Sequence, residues 1–453
     1  MQRIEIRNFR QIKEATVQVN DVTVLIGEQA SGKSTIAKLV YFFKSLRKDL
    51  IEISRQSPED INGRKISNTI RDKFYLYFGS TARLDPDYLI KFYFSDDNFL
   101  VIEGQRPPTV NFLPQHIFNE IENEIRRSGV LINHYLKNED INSADREEQI
   151  LKRSLGEILD DNRTALYIPA GRNITVSYTD EFLELFRDMV KIKMEVDIGE
   201  DGVPRRQDAE EIDLILLRDF IVHSSFLKRR YKGLGVDGML RLIDDQRTRG
   251  LLRNKIADLL KANYRNTEYK GEYFYLGNRL SRPLDKASSG QQESIRIVQD
   301  ALLQIVDLNP VFRVVEEPEA HLFPSGQKNI MELLVAMVNT RPESIIENNN
   351  QLFITTHSPY LLTILNNLIF AGNLENGIGS DEILSGVGIP GLFRLKPNQV
   401  SAYMLQDGKC TPINDTAEND FSENATGQIG GNLLDNYWNE LQNQFDALMD
   451  VDL

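Results

Sequence analysis

The sequence predicts an α/β fold: one mixed sheet with a β-rich lobe, helices packed against it, and a mainly helical insertion. Three observations predict it. An apolar, β-branched run, Val22–Ile26, stops at a glycine and passes through a short loop into a helical period at Lys33. Two further apolar runs, Val311–Val315 and Leu352–Thr356, alternate with helical patterns, the order expected of an α/β sheet. Between these ends lies a long charged stretch with helical rather than strand periodicity.

Taken in order, Arg3–Phe9 and Ile12–Val19 alternate apolar and polar residues, the period of half-buried strands. From Lys33 the apolar residues Ile36, Leu39, Val40 and Phe43 recur at helical spacing. Tyr88–Phe94 and Phe99–Ile102 read as a strand pair split by a turn at Asp96–Asn98. Residues 1–110 therefore form a first lobe, and 111–270 a helical insertion, broken near Leu166–Arg172 and by an acidic loop at 197–204. Residues 271–410 form a second lobe. Tyr273–Leu276 resumes strand character, a Ser/Gly loop at 288–290 opens a helix to Val306, and the strand at 311–315 precedes a helix over 326–339 and the strand at 352–356. These strands are expected to continue the sheet begun at Val22. The tail, 411–453, has nine acids and no Lys or Arg, and Leu434, Trp438, Leu441, Phe445 and Leu448 fall on one helical face.

With 453 residues, 41% hydrophobic and 26% charged, the chain has room for roughly three units of ~150 residues and is neither disordered nor fibrous. The net charge of −14 requires any nucleic-acid contact to come from a local basic surface. Residues 226–270 are the candidate, with twelve Lys or Arg against five acids. A single cysteine, Cys410, excludes an intramolecular disulfide and a cysteine-based zinc cluster, and five histidines leave little room for a multi-histidine metal site. No apolar stretch reaches the ~18–20 residues of a membrane span, and the alternating N-terminus lacks a signal-peptide core, so a reducing cytoplasm and no membrane contact are expected.

Four segments carry chemistry. Gly27-Glu-Gln-Ala-Ser31-Gly32-Lys33-Ser34, followed by Thr35, matches G-x-x-x-x-G-K-[ST] between a strand and a helix. Phosphate binding needs that order: glycines let backbone N–H groups form a nest, the helix start adds positive potential, Lys33 reaches the β- and γ-phosphates, and Ser34 can ligate Mg²⁺. Val311–Val315 ends in Glu316 and Glu317, placing one carboxylate near a metal shell and the next where it can polarise a water. Leu352–Thr356 ends in His357, placed as a γ-phosphate sensor. Ser288, Gly290 and Gln291 open a helix and offer a second anion site at its N-terminus. Taken singly, an acid pair is a solvated strand cap, a lone histidine is structural, and the Ser/Gly segment is a helix cap. Their company and order give them a shared reading.

In that order the segments resemble the ABC-type ATPase head, specifically its SMC/RecF/OLD-like branch, over about 1–110 and 271–370. Ser289 stands for the first glycine of the usual Leu-Ser-Gly-Gly-Gln signature, Ala287 for its leucine, and Glu316 for the usual aspartate. Glu316-Glu-Pro-Glu-Ala-His-Leu322 is typical of OLD-like defence ATPases, and Pro169-Ala-Gly-Arg172 resembles a recurring element of the branch that carries no assigned role here. The resemblance implies ATP and Mg²⁺ held by Lys33, Ser34 and Glu316, with Glu317 activating water and His357 sensing the γ-phosphate. Ser288 and Gly290 come from a second subunit, with Gln291 a further nucleotide-binding residue, so a homodimer or higher homo-oligomer is implied. It further implies a sensor or motor subunit similar to the ATPases of Septu and PARIS anti-phage defence, gating a separately encoded nuclease or toxin, with no nuclease of its own. Two alternatives remain: a DNA-repair clamp gripping duplex through 226–270, and a nucleotide-gated scaffold with negligible turnover. The tail packs on its own or a sister head, or docks a partner.

Overall fold

The computed structural model describes residues 1–55, 61–79, 87–104, 109–113, 115–178, 182–186, 188, 212–277, 280–340, 350–375, 381–414 and 427–430. The acidic loop at 197–204 and the apolar tail face at 434–448 lie outside them. Strands β1 (Arg3–Phe9), β2 (Ile12–Gln18), β3 (Val22–Gly27), β4 (Leu89–Tyr93), β5 (Phe99–Glu103) and β6 (Thr109–Leu113) come first along the chain. They are followed by β7 (Thr164–Ile168), β8 (Asn263–Thr267), β9 (Gly271–Tyr275) and β10 (Ser281–Pro283). The last are β11 (Val311–Glu316), β12 (Gln351–Thr356), β13 (Val400–Gln406) and β14 (Lys409–Pro412).

The helices begin with α1 (Lys33–Ser54), α2 (Gly63–Phe78), α3 (Gln115–Lys137), α4 (Ile141–Ile158) and the short α5 (Ile174–Ser177). Then come α6 (Ile212–Tyr231), α7 (Gly235–Leu240) and α8 (Gln246–Leu260). The series ends with α9 (Ser289–Asp307), α10 (Pro324–Asn339), α11 (Pro359–Glu375) and α12 (Asp381–Gly386). Local chemistry sets several starts: Asp140 caps α4, Asp245 caps α8, and Pro324 opens α10.

An 11-stranded mixed sheet runs β6-β5-β4-β1-β2-β14-β13-β3-β12-β11-β7. Its first five strands are antiparallel, whereas β13, β3, β12, β11 and β7 are parallel. The hairpin β13–β14 wedges between β2 and β3 and joins the two halves. Strand alternation splits the core. Val24, Leu352, Ile354 and Val315 face the layer of α9, α10 and α11, while Leu25, Phe353, Phe312 and Val314 face α1 to α4. Two expectations are corrected. The segment at Leu166, read as a break between helices, is the edge strand β7, paired in parallel with β11. Tyr273–Tyr275 does not enter the main sheet but pairs with β8 and β10 in a separate three-stranded sheet. Among the described residues no helix is long and apolar enough to cross a membrane.

Arg313, polar in an otherwise apolar strand, alternates onto the α9 side. Its Nε and Nη2 donate to Asp300 at 2.7 and 3.2 Å, and Nη1 donates to the Thr164 carbonyl at 2.8 Å. His223 Nε2 lies 2.8 Å from the same carboxylate. Burial opposes ionisation of Asp300, but Arg313 and His223 outweigh it and hold its carboxyl well below the usual range. Asp300→Ala strands a buried guanidinium and is expected to cost about 3–5 kcal/mol in urea unfolding; a loss under about 1 kcal/mol would show that the pair does not brace β11 on α9.

Candidate functional site

The loop between β3 and α1 is built on two glycines. A Cβ at Gly27 would run into the Leu405 carbonyl oxygen on neighbouring β13. Gly32 holds φ at 111°, a region that favours glycine, and a Cβ there would press on Ile12 Cγ1 at 3.2 Å. Lys33 is buried and folds back over the loop, its Nζ donating to the carbonyls of Gly27 (2.8 Å) and Glu28 (2.7 Å) and to Ser31 Oγ (3.4 Å). The ammonium thus sits beside the positive end of a 22-residue helix. Burial lowers the Lys33 pKa, and Glu317 and Glu319 pull it back up. Ser34 is half-buried on the first turn, and the buried Thr35 hydroxyl accepts from Gln11 Nε2 at 2.8 Å.

The adjacent parallel strands deliver the acids and the histidine. Glu316 alternates onto the α1 side. Its Oε1 accepts from the Tyr167 hydroxyl at 2.7 Å and its Oε2 from the Ala170 N–H at 3.2 Å. Glu317 leaves the strand at φ 43°, its N–H bonded to the Thr355 carbonyl at 2.8 Å and its carboxylate 3.6 Å from His357 Nε2. Glu319 Oε1 accepts from Thr356 Oγ1 at 2.5 Å and from the His357 N–H at 3.0 Å, while its Oε2 is buried without a hydrogen-bond partner.

Arg172 holds this turn from beneath. It is fully buried, and its guanidinium donates to the carbonyls of Glu316 (2.9 Å), Glu317 (3.0 Å) and Glu293 (2.9 Å), with Glu293 Oε2 at 3.2 Å. One side chain therefore ties the end of β11 to α9. Burial raises the Glu293 pKa, opposed by Arg172. Arg172, Glu319, Gln11 and Tyr167 are the residues for which the sequence offered no role. The only local signals were the Pro-Ala-Gly-Arg segment after an apolar run and the third acid of Glu-Glu-Pro-Glu.

Ser288 is exposed and caps α9. Its hydroxyl accepts from the Gln291 N–H at 3.4 Å, and its own N–H donates to Gln291 Oε1 at 3.1 Å. Gln291 Nε2 is committed to the Leu260 carbonyl at 2.6 Å. A Cβ at Gly290 would meet the His321 carbonyl at 2.7 Å, so α9 begins hard against the loop that follows β11. The structure thus gathers Gly27, Ser31, Gly32, Lys33, Ser34 and Thr35 with Glu316, Glu317 and His357 at the ends of β3, β11 and β12. Gly290 sits against the His321 carbonyl instead, and among the described residues no hydrogen bond joins Ser288, Gly290 or Gln291 to the β3–α1 loop.

This donor set fits a magnesium-bound triphosphate: one ammonium, loop N–H groups freed by glycine, a first-turn hydroxyl, a positioned carboxylate and a buried carboxylate oxygen left unpaired in Glu319. Tyr167→Phe removes only the hydroxyl that orients Glu316. It is expected to weaken Mg²⁺-dependent nucleotide affinity by about 10–100-fold with the circular dichroism spectrum unchanged. Equal affinity in a titration would show that Glu316 needs no such support.

A family model described as an AAA ATPase domain matches residues 1–173 and 239–362, spans that include all four motifs. No curated protein matches the chain in sequence. Among solved structures it is similar to an SMC head bound to the C-winged helix domain of ScpA, at 11% identity over 91% of this chain and 96% of that chain, with a TM-score of 0.40. The SMC head domain from Thermotoga maritima is similar at 12% identity over 91% and 97%, with a TM-score of 0.32. An Smc head with an extended coiled coil, bound to the C-terminal domain of ScpA derived from Pyrococcus furiosus, gives 10% identity over 91% and 96%, with a TM-score of 0.34. The sequence match spans well over half of the chain and takes in the glycine loop, the acid pair and the histidine: the chain belongs to the AAA ATPase domain family.

Proposed function

We propose that this chain binds and hydrolyses ATP with Mg²⁺ as a homodimer, or a higher assembly of such dimers, that closes on nucleotide. The observation that carries this reading is the convergence of Lys33, Glu317, Glu319 and His357 at three adjacent strand ends, with Ser288 exposed and apart from them. Lys33 and the loop N–H groups hold the β- and γ-phosphates, and Ser34 and Glu316 hold the metal. Mg²⁺, when bound, neutralises phosphate oxygens. Glu317 takes the proton of the attacking water, and His357, its backbone fixed by Glu319, faces the γ-phosphate. Ser288 and Gly290 present the start of α9 to the nucleotide of the other copy, and Gln291 keeps that helix start in shape. A two-fold arrangement completes both sites at once. Residues 1–110 and 271–410 act as the two ATPase lobes, 111–270 as the insertion between them, and 411–453 as a tail that packs on a head or docks a partner.

The cellular role we infer is a sensor or motor subunit of bacterial anti-phage defence, gating a separately encoded nuclease or toxin. Its support is the Glu316–Leu322 wording, which resembles that of OLD-like defence ATPases. The DNA-clamp reading is less well supported. Of the twelve cations in 226–270, seven have a carboxylate within 4 Å among the described residues, including Arg230 on Asp307 (3.0 Å), Arg247 on Asp381 (2.9 Å) and Lys255 on Glu332 (2.5 Å). Much of that basic charge is spent inside the molecule.

Glu317→Gln keeps the shape of the side chain and removes the base. Turnover in a phosphate-release assay is expected to fall by about 10²–10⁴-fold while ATP affinity is kept; undiminished turnover would remove Glu317 from the reaction.

A further inference from the structure

A cleft of about 800 Å³ opens between the second half of α1, α4, the start of β7 and α6. It is separate from the nucleotide site: Lys48 lies fifteen residues along α1 from Lys33, about 22 Å at helical rise. In a chain of net charge −14, its described lining residues include seven Lys or Arg and four Asp or Glu.

Two of those acids are already engaged. Arg55 donates twice to Glu148, at 3.0 and 2.7 Å, and Arg218 pairs with Asp219 at 2.6 Å. Behind the wall, Asp161 pairs with Lys44 and, at 3.1 Å, with Arg163. Three cations are in no ion pair within 4 Å among the described residues, although Glu148 acts on Lys152 and Asp161 on Arg47. Lys48 and Lys152 form no ion pair there, and the buried guanidinium of Arg47 is held on the carbonyls of Asp161 (2.7 Å), Asn162 (3.0 Å) and Arg163 (2.7 Å). Burial, with Arg47 adding to it and Glu148 opposing it, lowers the Lys152 pKa. Concentrating like charge in this way costs stability, and an anion between them relieves it.

The apolar lining is Tyr41 and Ile51 on α1, at either end of the stretch that carries Arg47 and Lys48, with Leu166 on β7 and Val222 on α6. The volume falls in the ~300–1,000 Å³ range of small-ligand pockets. We propose that this cleft binds a phosphate-bearing small ligand of mononucleotide size, its phosphate between Lys48 and Lys152 and its ring towards Tyr41, two turns back along α1. Tyr41 also packs edge-on against Tyr167, with ring centres 5.5 Å apart, and Tyr167 donates to Glu316. The ligand therefore meets a ring one contact removed from the acid at the end of β11.

The test is isothermal titration of Lys33→Ala protein, which removes the β3–α1 loop's lysine, with AMP and separately with inorganic pyrophosphate. At least one is expected to bind, more weakly as salt rises. Adding Lys48→Glu and Lys152→Glu is expected to lower that affinity about tenfold or more without lowering the melting temperature. Tighter binding of AMP assigns the ring to the apolar lining, and tighter binding of pyrophosphate assigns recognition to the phosphate alone. If the doubly reversed protein fails to fold, Lys152→Gln is titrated in its place with the same readings. Failure of both probes to bind, an affinity indifferent to these lysines, or tighter lysine-dependent binding of a short DNA duplex would overturn the proposal.

Discussion

Parallel pairing of β3, β12 and β11 sets three strand ends side by side, and every charged group of the nucleotide site hangs from that register. β3 ends in the glycine loop and Lys33, β12 in His357, and β11 in Glu316 and Glu317. A slip of one residue in β11 would turn Glu316 away from α1 and bring Arg313 into its layer. The register is fixed on both faces, by Phe312 and Val314 under α1 and by the Arg313–Asp300 pair on α9. Fold and site therefore rest on the same alternation.

A second constraint joins the motifs of one chain to each other. The buried guanidinium of Arg172 bonds the carbonyls of Glu316 and Glu317 together with Glu293 on α9. The turn it holds contains a non-glycine residue at positive φ, Glu317, a conformation that is kept only where surrounding bonds over-determine it. The same guanidinium reaches the helix that Ser288 caps, so one buried side chain links α9 to the acid pair.

Much of this was legible in the sequence where the signal is local. The alternation of β1 and β2, the β3–loop–α1 unit, the β4–β5 pair and the spans of α9, α10, β11 and β12 are written in consecutive residues. Non-local pairing was not. β13 lies beside β3, its partner in the sheet, across nearly the whole chain, and nothing in Val400–Gln406 names that partner. β7 looked like an interruption because a five-residue strand between helices carries too little pattern to declare itself. Tyr273–Tyr275 reads correctly as a strand, yet alternation does not say which sheet receives it. At the site, the sequence singled out side chains at motif positions, whereas Tyr167, Arg172 and Glu319 hold other residues in place. Their partners lie up to 149 positions away and are visible only once the chain is folded.

The proposed mechanism divides labour between two copies: the β3–α1 loop of one would hold the phosphates that the start of the other's α9 completes. Light scattering of the wild-type protein with Mg²⁺ and a non-hydrolysable ATP analogue measures this most directly. The account expects the mass per particle to double on adding the analogue and to stay single when Ser288 is replaced by arginine. A particle of unchanged mass that nonetheless binds the analogue would contradict it.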